Sequence, residues 1–136
     1  MSEKHYTLAQ LGWKTFFNQQ LNLDNLEQTQ PCRVTQVFRN RLVVLGENGE
    51  INLELAQYPN LQTCTVGDWL LIPNAQSEAP TLLDRLSIFQ RKAPGSNSNQ
   101  LIAANVDTAF IVSSCNHDFN LSRIERYLAL TKEAQV

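Results

Sequence analysis

The sequence predicts a mainly β fold: an N-terminal amphipathic helix, a small barrel of five strands, then one strand and one helix that open an α/β unit. Three observations predict it. Residues 32–88 hold five short runs that are β-branched or alternate apolar with polar, each bounded by a turn signal. Ahead of them, Leu8, Leu11, Trp13, Phe16 and Phe17 supply the apolar stripe of a helix. Behind them, Asp107 to Ser114 is a nearly continuous apolar run, as in a strand buried on both faces, and Leu121, Ile124, Leu128 and Thr131 follow at helical spacing.

The first element begins at Thr7-x-x-Gln10, a spacing that lets two side chains satisfy the free amides of a helix start. Gly12 weakens that helix, and Gln20 to Asn25 ends it. Its aromatic stripe packs on the next domain; docking of a partner protein is the alternative use for Trp13, Phe16 and Phe17. Arg33 to Phe38 is the first strand, Asn40 sits in a tight turn, and Arg41 to Leu45 is the second strand. Asn48-Gly49 is the strongest short hairpin signal and leads into Ile51 to Leu55. Val66-Gly67-Asp68 turns into Trp69 to Ile72, and Thr81 to Ile88 is the last strand. Five short strands in so few residues fit the five-stranded oligonucleotide-binding barrel, the OB-fold, with an SH3-like barrel left open by the pattern alone. Residues 91–100 are a linker by composition, with a Pro94-Gly95 turn and a Ser/Asn run.

Length and charge bound what such a chain can do. Its 136 residues hold one ordinary domain and little more. No apolar run reaches the roughly 20 residues that cross a bilayer, and the N-terminus has no apolar signal region, so the expectation is a cytoplasmic protein with no membrane partner. Cys32, Cys64 and Cys115 are widely spaced, and the histidines are His5 and His117, so a metal site within the chain is not expected. The net charge of −2 conceals a segregation. Residues 28–46 carry Arg33, Arg39 and Arg41 and no acid; residues 47–84 carry six acids and no base; residues 85–92 carry Arg85, Arg91 and Lys92 and no acid. A broadly basic nucleic-acid binder is excluded, and a local basic patch is not.

Two stretches taken together are specific. One is Thr65-Val-Gly-Asp-Trp69, followed by Arg85 and Arg91-Lys-Ala-Pro-Gly95. The other is Ile102-Ala-Ala-Asn-Val-Asp107, followed by Phe110-Ile-Val-Ser-Ser114 and the run from Asn116 to Leu130. Their order closely resembles the circularly permuted GTPases of the ribosome small-subunit-dependent GTPase A family, and Leu11-Gly-Trp13 resembles the N-terminal extension of some members. The resemblance implies an N-terminal OB-fold, a permuted GTPase domain and a C-terminal zinc-binding domain in the full-length protein, acting in late maturation of the small ribosomal subunit. It implies GTP, Mg²⁺ and a structural Zn²⁺ for that full-length protein, and none of them within this chain. The implied domains are 1–27 as a helical extension, 28–92 as the RNA-binding OB-fold, 93–100 as linker and 101–136 as the start of the GTPase domain.

By the same resemblance, ribosomal RNA of the small subunit is the partner, no DNA is expected, and the RNA surface draws on Arg33, Phe38, Arg39, Arg41, Arg85, Arg91 and Lys92. OB barrels use cations for phosphates and aromatics for stacking. Asn105 and Asp107 match the family's Ala-Asn-x-Asp signature, with either a positioning role or plain turn chemistry. One departure weakens the surface: residues 54–62 hold no cation where many members have a Gly-Lys-rich stretch. The sequence has no Gly-x-x-x-x-Gly-Lys-Ser/Thr loop, no Asn/Thr-Lys-x-Asp and no Asp-x-x-Gly, so this chain is expected neither to bind nor to hydrolyse GTP. No catalytic residue is assigned. His117 has no nucleophile nearby in sequence, and Ser113 and Ser114 lack the Gly-x-Ser-x-Gly elbow. A strand and a helix need a second parallel strand, so the expectation is that the chain is the front part of a longer protein and that residues 101–136 are mobile, dock on the barrel or pair with another copy. A stand-alone binding module for a protein partner is the competing reading.

Overall fold

The computed structural model describes residues 6–75, 78–92, 99–111 and 121–134. The chain forms two compact units, residues 1–86 and residues 87–136. The first holds α1 (Thr15–Asn18), α2 (Leu23–Gln28), β1 (Thr29–Val37), β2 (Arg41–Gly46), β3 (Gly49–Glu54), a 3-10 turn at Pro59–Leu61, β4 (Trp69–Pro73) and β5 (Thr81–Leu82). Its five strands form one antiparallel sheet in the order β3-β2-β1-β4-β5. The expected mainly β fold with five strands is present. Among the described residues the ladder runs from β3 to β5 with no pairing between those two edge strands.

Alternation along the strands builds two cores, one on each face. Cys32 and Val34 of β1, Leu42 and Val44 of β2, Leu53 of β3, and Leu70 and Ile72 of β4 bury one face together with Leu61 and Cys64 from the β3–β4 connection. Trp69, Leu71 and Leu83 bury the other face, at the β4 side, against Phe17, with Leu8, Leu11, Trp13, Phe16 and Leu21 packed around them. Four consecutive residues of β4, Trp69 to Ile72, are therefore buried, which explains why this run is apolar without alternation.

The N-terminal residues supply that second cover without forming the single helix expected of them. Thr7 and Gln10 exchange both capping hydrogen bonds, Thr7 N–H to Gln10 Oε1 at 2.9 Å and Gln10 N–H to Thr7 Oγ1 at 3.2 Å. One turn later the helical path stops. Gly12 takes φ +96°, its N–H donates to the Ala9 carbonyl at 3.1 Å, and the Trp13 N–H donates to the Leu8 carbonyl at 2.9 Å. These two bonds are a helix-ending Schellman pair, which a glycine in the left-handed region permits. The apolar stripe still packs on the sheet, but as a strap over residues 6–21 containing only the four-residue α1. Helix α2 then starts afresh at a capping box between Asn22 and Asn25.

The last expected strand is also shorter. Only Thr81 and Leu82 pair with β4. At Asp84 the backbone N–H and carbonyl are both taken by the Gln20 amide, at 2.7 Å and 3.2 Å, and the chain leaves the ladder.

The second unit contains β6 (Ile88–Lys92), β7 (Asn99–Ala104) and α3 (Leu121–Glu133). Strands β6 and β7 pair antiparallel, with an irregularity between Phe89 and Gln90, and α3 packs on β6. The strand expected over 107–114 is a correction: residues 107–111 are irregular, residues 112–114 lie outside the described residues, and the strand of this region is β7, earlier in sequence. Residues 99 and 100, expected to be linker, open that strand; residues 93–98 lie outside the described residues. Helix α3 forms where its spacing predicts it. Ile124, Leu130 and Thr131 are half-buried and Ala134 is buried, while Leu128 is exposed.

Candidate nucleic-acid interface

The tip between β1 and β2 concentrates the exposed functional candidates. The ladder ends at the Val37–Leu42 pair. Phe38 N–H then donates to the Arg41 carbonyl at 2.9 Å, leaving Arg39 and Asn40 as a two-residue turn. The Asn40 carbonyl accepts from Leu55 N–H at 3.0 Å, which fixes the turn against the end of β3. Phe38 is 41% exposed, and Arg39 and Arg41 are exposed. The Arg41 guanidinium carbon lies 4.5 Å from the Phe38 ring centroid, a cation–π contact between two exposed side chains. Glu54 stands opposite Arg41 in the ladder, so one carboxylate borders the patch.

Arg33 and Arg85 serve the fold itself. Arg33 Nε donates to the Gly67 carbonyl at 3.1 Å, and its Nη1 donates to the Leu11 carbonyl at 2.7 Å. Its guanidinium carbon also sits 5.8 Å from the Trp69 ring centroid. It thereby clamps the strap to the sheet. Arg85 grips Asp68 with both prongs, Nε to Oδ1 at 2.7 Å and Nη2 to Oδ2 at 2.9 Å, and Nη2 also reaches the Thr63 carbonyl at 2.9 Å. The Asp68 side chain is fully buried and Oδ2 also accepts from Thr65 N–H at 2.8 Å. The hydrogen bond to Asp68, more than any other influence, raises the Arg85 pKa further above its ordinary value. Asp68 is the member of this pair that sequence reasoning passed over. Its signal was the turn residue Gly67, at φ +95°, immediately before it, since a carboxylate there folds back on the turn's own amides.

The remaining candidates lie in the second unit. Arg91, exposed on β6, donates from Nε to Gln100 Oε1 at 3.2 Å across the hairpin, and Lys92 ends the strand. Asn105 follows β7 with φ +56°, is buried, and its N–H donates to the Ser87 carbonyl at 2.9 Å. It closes the β6–β7 hairpin. Asp107 is exposed two residues later. Cys32 and Cys64 are free and buried, and burial pushes both thiols up to about 12. Among the described residues no three His, Cys, Asp or Glu side chains gather where a metal ion could be held.

Comparison with known proteins agrees with the sequence. A family model described as RsgA GTPase matches residues 82–136. The chain is 54% identical over 130 residues to a small ribosomal subunit biogenesis GTPase RsgA 2 of Vibrio parahaemolyticus, covering 95% of this chain and 36% of that relative. It is 50% identical over 137 residues to the protein of the same name in Vibrio vulnificus, covering 99% of this chain and 38% of the relative. It is 43% identical over 128 residues to the RsgA of Mesorhizobium japonicum, covering 94% of this chain and 37% of the relative. The chain thus spans a little over a third of the length of these relatives. No solved structure matches it. On these matches the chain belongs to the RsgA GTPase family.

Proposed function

We propose that this chain is the RNA-contacting part of a GTPase of small ribosomal subunit biogenesis, that its five-stranded sheet is an OB-fold, and that it contributes binding and not catalysis. The observation that carries the reading is the β1–β2 tip, where Phe38, Arg39 and Arg41 are exposed together at the end of an antiparallel ladder. Arginine neutralises phosphate, and a half-exposed ring offers a base a stacking face. Arg91 and Lys92, in the second unit, would make phosphate contacts of their own. Arg33 and Arg85 support it by holding the fold. The relatives' printed names, biogenesis GTPases of the small ribosomal subunit, supply the partner. The missing phosphate-cradling and guanine-reading motifs support a chain that does not turn over GTP. GTP, Mg²⁺ and structural Zn²⁺ would then be held by the further length that the relatives have. In this reading residues 28–92 are the OB domain, 93–100 the linker and 101–136 the opening of the GTPase domain, with Asn105 and Asp107 as turn-forming residues at its start. The setting is cytoplasmic; among the described residues no helix is long and apolar enough to cross a membrane.

The test is co-sedimentation of the chain with purified small subunits across a salt series, with Arg39→Glu/Arg41→Glu beside wild type. Binding is expected to weaken with salt, and the variant to bind more weakly with a log–log salt slope shallower by about two. Equal binding by both proteins would remove the tip from the interface. Absence of wild-type binding at low salt, with the sheet folded, would overturn the reading.

A further inference from the structure

The β2–β3 turn holds Asn48-Gly49, the one Asn-Gly step in the sequence, and shaping a hairpin does not exhaust its chemistry. The Asn48 side-chain amide presents an electrophilic carbon, Cγ. The backbone nitrogen of the following residue can close on that carbon into a five-membered ring. A Cβ on the following residue hinders the approach, and glycine has none. At Gly49 no atom beyond its chain neighbours lies within 4 Å of where a Cβ would stand. Asn48 itself is exposed to water. Two contacts restrain the reacting groups in the fold. Gly49 pairs with Gly46 as the first rung of the β2–β3 ladder. Asn48 Nδ2 donates to Gln30 Oε1 at 2.9 Å, which ties the amide to β1. Gln30 is fixed in turn, since its backbone pairs with Ile72 of β4.

We infer that Asn48 is a site of spontaneous self-modification to aspartate and isoaspartate, and that Gln30 restrains the reaction in the folded chain. The Gly49 nitrogen attacks Asn48 Cγ and gives up its proton to solvent. The Cγ–Nδ2 bond breaks and ammonia leaves, which completes a cyclic imide. Water then opens the imide at either carbonyl, and water is the one co-reactant. Opening at the main-chain carbonyl gives isoaspartate, whose backbone runs through Cγ; opening at Cγ gives aspartate. Both products add a negative charge to the turn. Aspartate keeps the main chain as it was, and a turned Gln30 amide can donate to its carboxylate. Isoaspartate lengthens a two-residue turn by one carbon, so the Gly46–Gly49 rung no longer fits and β3 loosens from β2 at that end. Ring closure needs the turn to open. The rate in the folded chain is therefore the unfolded-chain rate scaled by the open fraction. The inference does not depend on RNA binding at the tip.

The test is incubation of the full chain at mildly alkaline pH, folded and in urea, followed by peptide mass spectrometry that separates isoaspartate from aspartate. In urea both products are expected at position 48, ahead of every other asparagine. In the folded chain the reaction is expected to be slower by about tenfold or more. Gly49→Ala is expected to react far more slowly in urea, where the variant has no fold to disturb. Gln30→Ala, folded, is expected to react about two- to fivefold faster than wild type, the worth of one exposed hydrogen bond. Gln30→Glu keeps an acceptor for Asn48 Nδ2 and is expected to stay as slow as wild type. The isolated isoaspartate form is expected to unfold at lower urea than the unmodified chain. Absence of product at position 48 in urea would overturn the site. Equal rates in the folded and unfolded chain, an unchanged rate in Gln30→Ala, or an acceleration there that merely tracks its loss of global stability would each overturn the restraint by Gln30.

Discussion

Asp68 shows how much one buried carboxylate can organise. It holds the Thr65 amide and both prongs of Arg85, whose side chain is a quarter exposed. Breaking a buried pair from one side costs about 3–5 kcal/mol; the partial exposure of Arg85 reduces that, and Arg85→Met is expected to cost about 2–3 kcal/mol in urea unfolding. Asp68→Asn, which keeps a carbonyl oxygen for Thr65, should cost no more than Arg85→Met. The buried thiols give a pH dependence of opposite origin. Cys32 and Cys64 ionise near 9.0 when unfolded and near 12 when folded, burial being the main cause for both. Between those values the unfolded chain holds fewer protons, so their contribution is complete below about pH 9 and is lost as pH rises toward 12. The urea midpoint is expected to fall between pH 9 and 11, and Cys32→Ala/Cys64→Ala to flatten that slope. A slope unchanged by the double substitution would show that other groups cause it. At this scale the sequence identified the tip residues by charge and turn position, because both are local. It could not separate Arg39 and Arg41 from Arg33 and Arg85. That difference lies in contacts 22, 34 and 17 residues away.

Two glycines decide how elements end. Gly49 sits at φ +108° with open space where a Cβ would project. Among the described residues Asn105 is the one non-glycine at positive φ, so Glu47 and Asn48 do not form the mirror-image turn that Asn-Gly first suggests. The hairpin instead takes an ordinary two-residue turn and puts the strain on Gly49. Gly49→Ala is therefore expected to cost about 1–2 kcal/mol through the backbone alone. At Gly12, φ +96°, a Cβ would also collide with the Arg33 guanidinium. Gly12→Ala is expected to cost about 2–3 kcal/mol, because the Arg33 bond to Leu11 is lost as well. Equal losses at the two sites would show that the clamp adds nothing. Strands β1 to β4 were readable because alternation and turn residues mark them locally. The long first helix was misread because its apolar spacing serves a strap as well as a helix, and the end is set by a backbone angle. The fifth strand was overextended because the Gln20 side chain, 64 residues away, competes for its backbone.

For the molecule as a whole, the strap is a structural member of the sheet unit. Trp13, Phe16 and Phe17 cover Trp69, Leu71 and Leu83. Fully burying a large apolar side chain contributes about 1.5–3 kcal/mol, so Phe17 with the half-buried Trp13 and Phe16 contributes about 3–6 kcal/mol, a large share of the roughly 5–15 kcal/mol of an entire domain. Removal of residues 1–21 is expected to abolish cooperative urea unfolding and to produce a dye-binding apolar surface; a cooperative transition with an unchanged midpoint would show the sheet to be self-sufficient. This also bears on the alternative of a protein docking through those aromatics, since Phe17 is buried and Trp13 and Phe16 are half-buried against the sheet. The edge-on meeting of Trp13 and Trp69, centroids 4.8 Å apart at 77°, has an optical side. They are the two tryptophans of the chain. Indoles this close couple their electronic transitions, so the near-ultraviolet circular dichroism of the protein should carry a paired signal that exists only while the strap is seated. The chain thus has a built-in, label-free gauge of that one contact, readable during refolding.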